Sequence, residues 1–145
     1  MRQFLSILGM VLLSMSIYGQ LARVVSYYDE TGLKTKIKNM YYIDPVEGNA
    51  LQGRFLQFFE SGELAIKGQY RSNIPSGEWK YFFESGLIKN RALLESASKG
   101  YWWYYYEQGG IKKEGALVNS QEQGVWKYYY ENQGLRKIGS YRDGF

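Results

Sequence analysis

The chain has 145 residues, enough for one domain, and its 45% hydrophobic content is that of a folded protein rather than a disordered one. Lys and Arg number 18 against 14 Asp and Glu, a net charge of +4 with no basic block, which argues against a surface that tracks a nucleic-acid backbone. There is no His and no Cys, so the commonest general acid/base, Cys/His zinc sites and disulfides are all excluded.

Residues 1–19 read as a secretory leader. Arg2 supplies the positive start, Phe4 to Ile17 is mostly apolar, and Ser16 to Gly19 is small or turn-forming apart from Ile17 and Tyr18. An apolar run of this length is short of the roughly 20 residues that span a bilayer. Cleavage is expected near Gly19 and Gln20, and an uncleaved N-terminal anchor is the alternative. Without Cys there is no lipid attachment site, so the expectation is an exported protein that is not a lipoprotein.

From residue 20 to 145 one phrase recurs. It opens as a degenerate copy at Ala22 and is then written in full as Gly53-Arg-Phe-Leu-Gln-Phe-Phe-Glu-Ser-Gly, Gly77-Glu-Trp-Lys-Tyr-Phe-Phe-Glu-Ser-Gly, Gly100-Tyr-Trp-Trp-Tyr-Tyr-Tyr-Glu-Gln-Gly and Gly124-Val-Trp-Lys-Tyr-Tyr-Tyr-Glu-Asn-Gln-Gly. The full copies start 24, 23 and 24 residues apart, the mark of a stacked repeat array. The step from Ala22 to Gly53 is 31 residues, and the surplus is expected in Met40 to Asn49, where Asp44-Pro45 and Glu47-Gly48-Asn49 are turn signals.

Let each opening residue be position zero. Positions two, four and six are then Phe55, Gln57, Phe59; Trp79, Tyr81, Phe83; Trp102, Tyr104, Tyr106; and Trp126, Tyr128, Tyr130. Alternating aromatics predict a strand, and the Gly-bearing turn after it predicts a hairpin. The returning strand carries Leu64, Ile88, Ile111 or Leu135 at eleven, and Gly68, Ala92, Gly115 or Gly139 at fifteen.

If cross-strand partners sum to seventeen, the ring at two faces the small residue at fifteen and fills the gap that it leaves. The opening glycine then faces position seventeen. The same rule pairs positions five and twelve, giving Phe82 with Lys89, Tyr105 with Lys112, Tyr129 with Arg136 and, in the first copy, Tyr27 with Lys34; Phe58 with Ala65 breaks the pattern. The predicted fold is all-β, an elongated single-layer antiparallel meander of consecutive hairpins.

Gly-x-Trp-x-Tyr-Tyr-Tyr-Glu-x-Gly-x-Leu followed by Gly-x-Tyr resembles the variant MORN repeat of bacterial YwqK-type antitoxin-like proteins, over roughly Ala22 to Phe145. The resemblance implies β-hairpins laid side by side and brings no catalytic residues. Members commonly turn between repeats on Asn-Gly, where this chain has Asn73-Ile74 and Asn119-Ser120 and keeps only Asp143-Gly144. An antitoxin role sits poorly with export, since the target would be cytoplasmic.

An acid recurs at position seven (Asp29, Glu60, Glu84, Glu107, Glu131), as a turn-entry residue would; a catalytic carboxylate pair would be unique. No catalytic residue, metal or cofactor is expected. The rings at two, four and six read as packing. The face at three and five is the candidate binding face: Lys80, Phe82, Trp103, Tyr105, Lys127 and Tyr129. Trp103 stands out because its equivalents are Leu56, Lys80 and Lys127. The expected function is an exported scaffold for protein contact, with envelope glycan binding through the aromatic and basic face as the alternative, and membrane-surface or antitoxin-type roles behind it.

Overall fold

A computed structural model describes residues 20–29 and 34–143. Residues 1–19, expected to be a leader, residues 30–33, including Leu33, and Gly144-Phe145 lie outside them.

Eleven strands form one antiparallel sheet: β1 (Ala22–Tyr27), β2 (Ile37–Asp44), β3 (Ala50–Phe58), β4 (Leu64–Arg71), β5 (Ile74–Pro75), β6 (Gly77–Phe82), β7 (Ile88–Ser96), β8 (Lys99–Tyr105), β9 (Ile111–Val118), β10 (Gln121–Tyr129) and β11 (Leu135–Tyr141). Each strand pairs with the next in sequence, apart from the short β5, which lies off the path beside β4. The described residues contain no helix.

The predicted register holds along most of every full hairpin. Phe55 pairs with Gly68, Trp79 with Ala92, Trp102 with Gly115 and Trp126 with Gly139, while Gly53, Gly77, Gly100 and Gly124 face Tyr70, Leu94, Leu117 and Tyr141. Ala92 also pairs with Trp102 of the next hairpin, so large and small residues alternate across the sheet on one face.

At Gly68 and Gly115 the covering ring comes from the following hairpin. A Cβ added at Gly68 would meet the Trp79 indole, and one at Gly115 would meet Trp126 rather than its own partner Trp102. This corrects the expectation that rings nest within their own hairpin. Trp126 and Ala92 are fully buried and Trp79 nearly so, although among the described residues only the sheet itself covers them. Indole Nε1 of Trp126 donates to Ala116 O at 3.1 Å, tying one hairpin to the last. In the Trp79 copy the equivalent carbonyl, Gln69 O, accepts from Ser76 N at 3.0 Å, and the buried Trp79 Nε1 has no partner.

Near the hairpin tip the register shifts by one residue: Phe58, Phe82, Tyr105 and Tyr129 pair with position eleven rather than twelve. The cause is the turn. In the second full copy Phe83 N donates to Leu87 O and Gly86 N to Phe83 O, with Gly86 at φ +84°, a three-residue loop whose left-handed residue makes a bulge. The cations expected over position five therefore lie over position six: Lys89 over Phe83 at 5.8 Å, Lys112 over Tyr106 at 5.7 Å and Arg136 over Tyr130 at 5.8 Å.

In the first copy Tyr27 pairs with Ile37, not Lys34, and Lys38 lies 5.5 Å over Tyr28. Tyr27 to Ile37 spans ten residues where Phe82 to Ile88 spans six, so part of the long first step sits in this loop and only the rest in the connection from β2 to β3. Between repeats, Ser72-Asn73 (φ +47° and +67°) and Asn119-Ser120 (φ +51° and +65°) make two-residue turns with both central residues left-handed, the geometry that Asn-Gly would favour.

Candidate functional site

The face opposite the tryptophans is built from positions one, three, fourteen and sixteen. Lys67 of β4 pairs with Lys80 of β6, and Lys80 pairs with Arg91 of β7, so three cations stand side by side across three strands. Like charges directly opposite on a sheet are destabilising, and this register places two such pairs in succession. Glu78 is the carboxylate that answers them, with Lys80 Nζ at 3.0 Å and Arg91 Nε at 2.7 Å. The hydrogen bond from Lys80, with that from Arg91 behind it, holds the Glu78 carboxyl below its ordinary range. Lys67 and Arg54 line a shallow pocket of about 290 Å³ beside Lys80, and the ion pairs of the described residues leave both unmatched.

Farther along this face lies Trp103. The Arg91 guanidinium stacks over it at 4.6 Å and the Tyr101 ring packs at 4.7 Å, tilted by 55°. The indole is half-buried and engaged by its neighbours, not a bare stacking platform. Beyond it, Glu114 pairs with both Trp103 and Lys127 and accepts a 2.6 Å hydrogen bond from Tyr129 Oη. That bond, with burial and the Glu114 charge behind it, pushes the Tyr129 phenol up to about 12.

Of the six residues expected on the binding face, the structure thus joins Lys80 and Trp103 through Arg91, and Lys127 and Tyr129 through Glu114. Phe82 and Tyr105 do not join these groups. Both pair at the hairpin tip, with Ile88 and Ile111, beyond the register shift. Sequence reading missed Lys67, Arg91 and Glu114, all at position fourteen; the seventeen-sum rule already placed them opposite Leu56, Lys80 and Trp103 of their own hairpins. The position-seven acids Glu60, Glu84, Glu107 and Glu131 are exposed in the hairpin loops, where Lys36 Nζ reaches Glu60 at 3.0 Å. No group of three or more carboxylates able to hold a metal ion occurs among the described residues.

No protein-family model matches the chain, and no curated protein matches it in sequence.

The Tyr129 phenol gives a pH prediction. A tyrosine whose pKa is raised above its ordinary value of about 10 holds its proton more tightly when folded, so its contribution is complete below that pH and is lost as pH climbs toward 12. Tyr128, raised by burial and by hydrogen bonds with Tyr141 and Glu122, acts in the same direction. Melting temperature should be flat from neutral pH to about 9 and fall above it. Tyr129→Phe should make that fall shallower without abolishing it. A Tyr129 phenolate appearing at the ordinary pH in an ultraviolet titration would contradict the Glu114 bond.

Proposed function

We propose that the chain is an exported MORN-like scaffold that holds an acidic protein partner along the face opposite the tryptophans. The observation that carries this reading is the row Lys67, Lys80 and Arg91, in register and matched by the single carboxylate Glu78. A fold that places like charges opposite one another loses stability at those pairs, and an anionic partner would recover it. Support also comes from the shape: an open sheet of successive hairpins offers a long, repetitive surface, suited to extended contact rather than to enclosing a substrate. The spacing of Gly, Trp and Tyr that resembles MORN repeats points the same way, and the apolar leader supplies the case for export.

Lys67→Glu tests it. The new carboxylate would face Lys80, so stability should hold or rise by up to about 1 kcal/mol. Crosslinking and pull-down from the envelope fraction with the native protein should recover one dominant acidic protein, released as salt is raised. The variant should lose it. Equal recovery by Lys67→Glu would overturn the cation row as the contact, and recovery of bulk polysaccharide alone would transfer the reading to glycan binding.

A further inference from the structure

The first full copy departs from the others at several positions, and two of these departures fall in one place. Position four is Gln57 where the other full copies have Tyr81, Tyr104 and Tyr128, and position twelve is Ala65 where they have Lys89, Lys112 and Arg136. Cross-strand pairing lays position four on one continuous row: Asn39, Gln57, Ile66, Tyr81, Asn90 and Tyr104 are successive partners. Along this row each tyrosine meets the next hairpin's tryptophan, Tyr81 with Trp102 at 5.8 Å and Tyr104 with Trp126 at 6.1 Å. At Gln57 the ring that would meet Trp79 is missing.

A groove of about 380 Å³ lies there, lined by Gln57, Ile66, Tyr81 and Asn90 of the row and by Phe59, Ala65 and Lys89 from the hairpin tips. Its volume is at the small end of ligand pockets, which run from about 300 to 1,000 Å³. Phe59 is the position-six ring that lacks a cation over it, because Ala65 stands where the Lys or Arg would be. Gln57 and Asn90 are half-buried, and their carboxamides make no hydrogen bond among the described residues. The groove therefore presents an uncovered aromatic face, a tyrosine wall and two free amides.

We propose that this notch is a binding site for a tyrosine side chain presented by a partner polypeptide. The guest ring would stand in the row where the repeat elsewhere places its own tyrosine, against Phe59 and Tyr81, and its hydroxyl would meet the amides of Gln57 and Asn90. Both can donate to or accept from a phenol. The site lies on the tryptophan side of the sheet and does not depend on the cation row.

The test is an amide NMR titration of the folded chain with N-acetyl-L-tyrosinamide, comparing the native protein with Gln57→Tyr/Ala65→Lys, which completes the repeat. The native chain should show saturable shifts confined to Ile66, Asn90 and the Gln57 carboxamide. The double variant should melt higher and bind the probe at least about tenfold more weakly, as a filled pocket must. Should it fail to fold, Gln57→Leu keeps the length without the amide and should still weaken binding by about fivefold or more. Shifts that do not saturate, that spread over all hairpins, or that persist in the variants would overturn the proposal. So would saturation by methyl N-acetylglucosaminide in place of the tyrosine probe, which would make the notch a sugar site. Loss of acidic-partner recovery in Lys67→Glu with unchanged probe binding would separate the two faces.

Discussion

Trp126→Ala is expected to cost about 3 to 5 kcal/mol, the range for truncating a fully buried large aromatic. No other large side chain in the described residues is so completely enclosed. Its indole lies over Gly115, its Nε1 donates to Ala116 O at 3.1 Å, Tyr104 packs at 6.1 Å and the Lys113 ammonium sits 4.8 Å from the ring. Alanine would remove all of these and open a void that a single-layer sheet has no second layer to fill. At roughly 2 to 4 °C per kcal/mol for a domain of this size, the melting temperature should fall by on the order of 10 °C. Trp103→Ala is the control: its half-buried ring contributes chiefly the Arg91 stack, so about 1 kcal/mol is expected. Urea unfolding of both variants decides it. Equal losses would mean that nesting over glycine does not hold the hairpins together.

Gly115→Val carries the second large effect, and in a direction that composition alone would not suggest. Valine is a good strand former and glycine a poor one, so propensity predicts a gain. The Cβ, however, would stand inside the Trp126 ring, and the ring cannot withdraw without leaving its own buried seat. Overpacking of this kind costs about 1 to 3 kcal/mol and sometimes more, and here the upper end is expected. Gly139→Val makes the comparison sharp, because the nearest atom there is Tyr141 Cε2 at 2.7 Å, on a half-buried ring of the edge strand rather than on a fully buried indole. It should cost clearly less. Pairing Gly115→Val with Trp126→Leu should recover part of the loss, and the coupling in that double-mutant cycle measures the contact directly. A neutral Gly115→Val would remove the nesting argument altogether.

How far the sequence could be read depended on which physical rule set each feature. Alternating rings and recurring small residues were enough for the fold class and for pairing Trp79 with Ala92 or Trp102 with Gly115, because side-chain alternation and turn position together determine register. The same rule missed by one residue at Phe82 and Tyr129, since a left-handed residue in the loop inserts a bulge that no apolar pattern reveals. Which ring covers which glycine was also not legible: Trp102 and Trp126 share the phase that places them beside Gly115, and only the tilt of the side chain chooses between them. At the candidate face, Trp103 was visible as an irregularity within one position, and Lys80 as part of the lysine pattern that it breaks. Arg91, which joins them, was not, because the link crosses from one hairpin to the next and depends on how the hairpins pair.

Since Trp79 is seated on Gly68 and Trp126 on Gly115, each indole on a glycine of the hairpin before it, and Trp102 faces Ala92 in the same way, the array has a direction. Stripping hairpins from the C-terminal side bares only a flat glycine, whereas stripping them from the N-terminal side leaves an indole facing water. Growth in the order of synthesis therefore adds Trp79 and Trp126 each to a seat already built.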